Sequence, residues 1–261
     1  MFELSENIKL FAFDLDGTLY LGDNVIDGAV KLINMLREKY KVVFFTNNST
    51  KSSEQICQKL NKLLIKCDLN EVYNSATATA EYLKESNIDN IYVIGSKEFS
   101  QELYKHGITV VDNSTAKNLV VGLDFDFNYN KIAVALSVLN KGGQFIVCNE
   151  DKSFPIENNK FLPGAGAMVG AISMAANRIP DFVVGKPNAY ILNNIAKDFD
   201  VKYNQIIVVG DSYESDIQMA LNNSSEAILI NKNVSITTKN VLTAKNINEL
   251  LSYIRREKWM F

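Results

Sequence analysis

Short apolar runs, bounded by glycine, asparagine or aspartate, recur along almost the whole chain. Eight are rich in β-branched and aromatic residues and predict strands: KLFAFDL from Lys9, KVVFFT from Lys41, NIYVIG from Asn90, NLVVGL from Asn118, QFIVCN from Gln144, DFVVG from Asp181, QIIVVG from Gln205 and EAILIN from Glu226. Many are continuous rather than alternating, as strands covered on both faces are. Between them lie stretches with helical spacing. DGAVKLINMLREKY places Val30, Ile33, Met35 and Leu36 at roughly that spacing. SKEFSQELYKHG opens on Ser96, a helix-capping residue, and stops at Gly107; YNKIAVALSVLNKGG stops at Gly142 and Gly143. The βαβα alternation predicts parallel sheets sandwiched by helices.

Four predicted strands carry polar residues at their carboxyl ends. These are Asp14 and Asp16, Thr46 and Asn47, Gly185 and Lys186, and Gly210 and Asp211. Ligands of open α/β sheets bind outside those ends, so the four strands are expected to share one sheet and one site. The segment from about Ala76 to Pro180 holds three further strands with their helices. The expected fold is α/β: a Rossmann-like parallel sheet core formed by residues 1–75 and 181–261, with an inserted α/β cap domain over 76–180.

Composition narrows the chemistry. The chain has 261 residues, 47% of them apolar, enough for one large or two smaller cores. A net charge of −3 gives no basic footprint for nucleic acid. Cys57, Cys67 and Cys148 form no CxxC pair, which argues against a disulfide framework or a zinc site and for a reducing, cytoplasmic setting. MFELSENIKL lacks the apolar stretch of a signal peptide, and no run approaches the length of a membrane span. The only histidine, His106, precedes a helix-ending glycine, which disfavours Ser-His and Cys-His mechanisms.

In DLDGT, Asp14 and Asp16 stand one residue apart where the first strand gives out. Like charges so close raise each other's pKa unless a cation intervenes. Together with Asp211 they suit a hard divalent ion such as Mg²⁺. An aspartate beside such an ion is also a nucleophile toward phosphorus. Gly17 permits a tight turn and close backbone approach to a phosphate; the same residues also fit a plain Asx turn. Thr46, Asn47 and Asn48 offer a hydroxyl and amides to phosphate oxygens, or a turn leading to a cap for a helix near Lys51. Lys186, before Pro187 at a helix start, offers a cation or a surface lysine. In GDSYESD, Asp211 and Asp216 suit a metal site, and equally a helix N-terminus. A second DxD, Asp124 and Asp126, lacks the Gly-Thr and reads as a cap for the helix near Asn130.

The order of these motifs carries more than any one of them. DxDGT, TNN, GKP and GDxxxxD together resemble the haloacid dehalogenase (HAD) superfamily. GLDFDFNYNKIAVAL, NEDKSFP, LPGAGAMVGAI and VVGKPNAYIL are similar to its class IIA phosphatases with a large α/β cap, of the 4-nitrophenyl phosphatase and nucleotide monophosphatase type. The match spans about Leu10 to Ile230. The resemblance implies that Asp14 is the nucleophile and Asp16 the general acid and then base. It implies that Thr46 and Asn47 bind the phosphoryl group, with Gly17 and Asn48 beside them, and that Lys186 orients Asp14 and stabilises the phosphate. Mg²⁺ would be held by Asp14, the main-chain carbonyl of Asp16 and Asp211, with Asp216 close by. Asp16 argues for phosphate over halide chemistry, because a halide leaves without a proton and an alkoxide does not.

The expectation is therefore a Mg²⁺-dependent phosphatase for small organic phosphate monoesters. A phosphoryl transferase to a sugar or alcohol and a non-catalytic phosphometabolite-binding protein are the alternatives. Expected partners are a small phosphorylated metabolite and a second copy through the cap, with no nucleic acid or membrane. The loop Asn149–Phe161 fits two readings: it shapes substrate choice, with Asn149, Asp151 and Phe154 facing the leaving group as the corresponding loop does in the resembled family, or it is a solvated loop. Gly164 and Gly166 fit an anion-binding nest or a loop that shapes the cap.

Overall fold

The structure is a computed structural model that describes residues 5–156, 160–234, 236 and 238–256. In chain order, the first half comprises β1 (Leu10–Asp14), β2 (Tyr20–Leu21), β3 (Asn24–Val25), α1 (Ala29–Leu36), β4 (Lys41–Thr46), α2 (Ser53–Lys62), β5 (Val72–Asn74), α3 (Ser75–Glu85), β6 (Ile91–Ile94), α4 (Lys97–Lys105), β7 (Asn118–Val121) and α5 (Tyr129–Asn140). The second half comprises β8 (Phe145–Val147), β9 (Ser153–Ile156), β10 (Lys160–Pro163), α6 (Ala165–Ala176), β11 (Phe182–Val183), α7 (Tyr190–Asp198), β12 (Ile206–Gly210), α8 (Gln218–Asn222), β13 (Glu226–Ile230), β14 (Val241–Ala244) and α9 (Ile247–Arg256). All eight expected strands are present, and the fold is the expected α/β type with parallel sheets and helices. No helix among the described residues is long and apolar enough to cross a membrane.

The chain divides into two compact units, one of Met1–Thr46, Ile56–Tyr73 and Leu192–Phe261, the other of Asn47–Gln55 and Asn74–Ile191. The first is built on a six-stranded sheet in the order β14-β13-β12-β1-β4-β5. β1 lies inside it, parallel to β12 through Leu10 opposite Ile206 and to β4 through Leu10 opposite Lys41. That position explains its unbroken apolar run: all five residues of β1 are buried. On one face, Phe11, Phe13 and Phe44 pack with Leu32, Ile33 and Leu36 of α1 and Leu250, Leu251 and Ile254 of α9. Each such side chain contributes about 1.5–3 kcal/mol on burial. This core holds the carboxyl ends of β1 and β12 in register.

The second unit carries a four-stranded parallel sheet in the order β11-β8-β7-β6, and an antiparallel hairpin of β9 and β10. Ala135, Val138 and Leu139 of α5 and Met168, Val169 and Ile172 of α6 cover the sheet residues Leu119, Val121, Phe145 and Val147. Tyr82 of α3 stacks on Phe182, with ring centroids 4.1 Å apart.

One expectation about organisation is corrected. The strand before Lys186 does not share a sheet with the other three site strands: Phe182 and Val183 pair with Ile146 and Val147. Asp181 sets this alignment, since its carboxylate accepts from Phe145 N at 2.7 Å while its own N–H donates to the Phe145 carbonyl at 2.8 Å. The compact units also differ from 1–75 plus 181–261 against 76–180. Asn47–Gln55 and the stretch through Lys186 to Ile191 group with the second unit. Their ties are local: Leu123 N donates to Ser49 Oγ at 3.0 Å, and Gly185 N to the Cys148 carbonyl at 2.7 Å.

One helix start is capped as expected, and three differ in their cap or first residue. α4 is capped by Ser96 as expected, its Oγ accepting from Phe99 N. α5 is capped by Asn128 rather than by Asp124 or Asp126; the buried Asp124 pairs instead with Lys131 at 2.6 Å. α2 opens at Ser53 rather than near Lys51, after Ser52 Oγ accepts from Gln55 N. The helix after Pro187 opens only at Tyr190, and the Lys186–Pro187 bond is cis.

Candidate active site

In the first unit, β1 and β12 run side by side, so the residues that follow each strand emerge together. Asp14, Asp211 and Asp216 meet there, with one carboxylate oxygen from each lying within 4.8 Å of the others. Asp14 is 5% exposed and Asp216 fully buried. Ser212 N donates to Asp216 Oδ2 at 3.1 Å, and Asn231 Nδ2 donates to the Asp211 carbonyl at 3.3 Å. After Asp211 the chain takes a π-helical turn, Tyr213–Ile217, rather than an ordinary first helical turn. Ser212 caps it by accepting from Ser215 N, and the turn carries Asp216 back toward Asp211. Such turns concentrate at functional sites.

Two glycines let these acids approach. Gly17 sits at φ +90°, and a Cβ there would fall 2.3 Å from Asp211 Oδ2. At Gly210 a Cβ would fall 2.2 Å from Asp216 Oδ2. Gly17→Ala is thus expected to displace Asp211, besides costing about 1–2 kcal/mol for the left-handed backbone. A lower midpoint of urea unfolding, together with a kcat reduced by about tenfold or more, is the expected result. Unchanged turnover would show that Asp211 need not stand where it does.

Asp16 is kept out of this trio. The Tyr20 hydroxyl donates to Asp16 Oδ2 at 3.3 Å. Burial above all, then the charges of Asp16 and Asp14, raise the Tyr20 pKa well beyond its ordinary value, so the phenol stays protonated and donates. Lys59 Nζ stands 3.8 Å from the centroid of the Tyr20 ring. Thr18, fully buried, donates to Asp14 Oδ2 at 3.1 Å, with Asp211 Oδ1 as a longer acceptor at 3.5 Å. Sequence reasoning singled out neither Thr18 nor Tyr20. The signal for Thr18 was in the DxDGT motif itself. For Tyr20 it was the four-residue spacing from Asp16 across the Gly17 turn. Thr46 ends β4, 4% exposed.

The second unit holds the remaining predicted residues. The Asn47 amide does not present its donors as expected. Asn47 Nδ2 donates to both oxygens of Asp151 at 3.1 Å and to the Lys186 carbonyl at 3.3 Å, while its Oδ1 accepts from Lys186 N at 2.9 Å. The Asn47 carbonyl accepts from Ser75 Oγ at 2.6 Å and from Asn149 Nδ2 at 2.7 Å. Asn149 is therefore buried in structural bonds, not turned toward a leaving group. The Asn48 side-chain oxygen closes a turn onto Thr50 N and Oγ1, at 2.8 and 3.0 Å. Gly164 and Gly166 form no anion nest: their N–H groups donate to the carbonyls of Lys152 and Asp151, each at 3.0 Å. Burial pushes the Cys148 thiol up to about 12, which suits a packing role.

The donor set fits Mg²⁺. It consists of hard carboxylate oxygens, buried and converging, which would repel one another without a cation. The main chain at Gly17 closes onto Asp211, leaving no room there for a side chain.

Two family profiles match the chain: haloacid dehalogenase-like hydrolase over residues 11–109 and HAD-hydrolase-like over 183–251. An acid sugar phosphatase of Staphylococcus saprophyticus is 35% identical over 244 residues, 93% of either chain. Another of Staphylococcus haemolyticus is 35% identical over 250 residues, 95% of this chain and 94% of that one. The crystal structure of a 4-nitrophenylphosphatase from Thermotoga maritima superposes with a TM-score of 0.86 at 27% identity, covering 94% of this chain and 97% of that one. The chain belongs to the haloacid dehalogenase-like hydrolase family. Within it, the protein is a HAD-type phosphatase of class IIA.

Proposed function

We propose that the protein is a Mg²⁺-dependent phosphatase of small organic phosphate monoesters, working through an aspartyl-phosphate on Asp14. The observation that carries this reading is the division of labour among the acids: Asp14, Asp211 and Asp216 converge, while Asp16 is held aside on Tyr20. An Asp14 carboxylate oxygen attacks phosphorus and the bond to the leaving oxygen breaks. Asp16 gives its proton to that oxygen. Asp16 then takes a proton from water as the water oxygen attacks the phosphorus of the aspartyl-phosphate, releasing inorganic phosphate and restoring Asp14. Thr18 holds Asp14 in place. Thr46 contributes a hydroxyl to the phosphoryl oxygens, and Lys186 supplies the cation that the family pattern assigns to this motif. Mg²⁺, held by Asp14, the Asp16 carbonyl and Asp211 with Asp216 behind, would neutralise and orient the phosphate.

Sugar phosphates and 4-nitrophenyl phosphate head the substrate set, because the relatives bear those names. The test is release of inorganic phosphate from a panel of hexose phosphates, nucleoside monophosphates, phosphoglycolate and 4-nitrophenyl phosphate, with Mg²⁺. Hydrolysis of sugar phosphates ahead of nucleotides is the expected outcome. Silence across the panel would sink the reading. Transfer to an added alcohol exceeding hydrolysis would make the protein a transferase.

A further inference from the structure

The bonds around Asn47 assign a role to a carboxylate that the chemistry above does not use. Asp151 belongs to the loop that follows β8. Its backbone is fixed from three sides: Asp151 N donates to Asn149 Oδ1 at 3.1 Å, Gly166 N to the Asp151 carbonyl at 3.0 Å, and Gly164 N to the Lys152 carbonyl at 3.0 Å. Gly164 and Gly166 have no side chains because this loop backbone lies where their Cβ atoms would be. From that anchored position both Asp151 oxygens accept from the Asn47 amide. The same amide brackets the Lys186 peptide, accepting from its N–H and donating to its carbonyl. Gly185 makes room for this: a Cβ there would stand 2.5 Å from Asn47 Oδ1 and 2.4 Å from the Cys148 carbonyl. Asn47 and Lys186 are 7% and 5% exposed, so these bonds are shielded from water, where a hydrogen bond counts for more.

We propose that Asp151 is a positioning residue for phosphoryl transfer: it holds the Asn47 amide, and through that amide the cap loop sets where the Lys186 main chain stands. Asn47 is then a staple between two chain segments rather than a phosphate ligand through its side chain. This rests on the phosphatase reading above and assigns the role of Asp151 within it.

The experiment is steady-state kinetics on 4-nitrophenyl phosphate with Mg²⁺ for wild type, Asp151→Ala, Asp151→Asn, Asn47→Ala and the double variant Asn47→Ala/Asp151→Ala. Thermal midpoints are recorded alongside. Asp151→Ala is expected to lower kcat by about tenfold or more, with KM changed by less than about threefold. Asp151→Asn, which keeps an oxygen acceptor, should recover most of that loss. In the Asn47→Ala background, Asp151→Ala should add little, because the two act as one unit. If Asp151→Ala fails to fold, Asp151→Asn alone and in the Asn47→Ala background carries the test: its deficit should vanish there. A raised KM with additive losses would mean that Asp151 meets the substrate directly. An Asn variant as poor as the Ala variant would mean that its charge, not its acceptor, matters. Either result overturns the proposal. Failure of the phosphatase reading would show separately, as wild type without activity.

Discussion

Asp14→Asn should reduce kcat on 4-nitrophenyl phosphate by about 10³-fold or more while leaving the fold intact. The substitution keeps the size of a side chain that is almost wholly buried at the end of β1, and it can still accept from Thr18. What it removes is the anionic oxygen to which the proposed mechanism gives the attack on phosphorus. It also removes one of three converging negative charges, so without added metal the variant should melt no lower than wild type, and somewhat higher. Both quantities are read from the same preparation, kcat by release of 4-nitrophenolate and stability by thermal unfolding. A variant keeping more than about a tenth of the activity would take the nucleophile away from Asp14. A lower melting point would mean that the acid trio is held by something other than balance against a cation.

Chelation should have the second largest effect. Treatment with EDTA is expected to cut turnover by about 100-fold or more, with recovery on adding Mg²⁺. A readout independent of catalysis comes from linkage. A ligand bound only by the folded chain adds about 2.7 kcal/mol at a hundred times its Kd, so Mg²⁺ should raise the melting point of wild type. In Asp211→Asn that rise should shrink or disappear, because one of three charged oxygens is gone. If Mg²⁺ stabilised the Asp211 variant as much as wild type, the metal would belong elsewhere. If EDTA changed nothing, the acids would have to be offset by the chain's own cations.

Strands that run through the middle of a sheet announce themselves in the sequence, because both faces are covered and the apolar run is continuous. β1, β4, β12 and β13 are of this kind. The edge strands of the first sheet do not. Val72–Asn74 and Val241–Ala244 lie at the two borders of the first sheet and mix apolar with polar residues, so neither reads as a strand. For Phe182–Val183 the pattern shows a strand but not its partner. That partner is chosen by Asp181 against Phe145, thirty-six residues apart. The converging acids were legible for a different reason: each stands at or after the end of an apolar strand, and in a parallel sheet those ends lie side by side. Asn47 was not. An amide offers both donors and acceptors, and which of them remain for a ligand depends on neighbours such as Asp151 and Lys186, more than a hundred residues away. The sequence pattern therefore brought out the acids that converge and left the partner of each amide to tertiary structure.

The pairing of Leu10 with Ile206 also fixes an order of assembly. During synthesis the strand bearing Asp14 emerges early, whereas β12, Asp211 and Asp216 emerge only after every residue of the second unit has been made. That unit, nearly continuous in the chain, can assemble while the first sheet still lacks half its strands. A nascent chain halted before Asp211 carries the DxDGT turn with nothing to close against it, so the metal-ready trio is completed only near the end of translation.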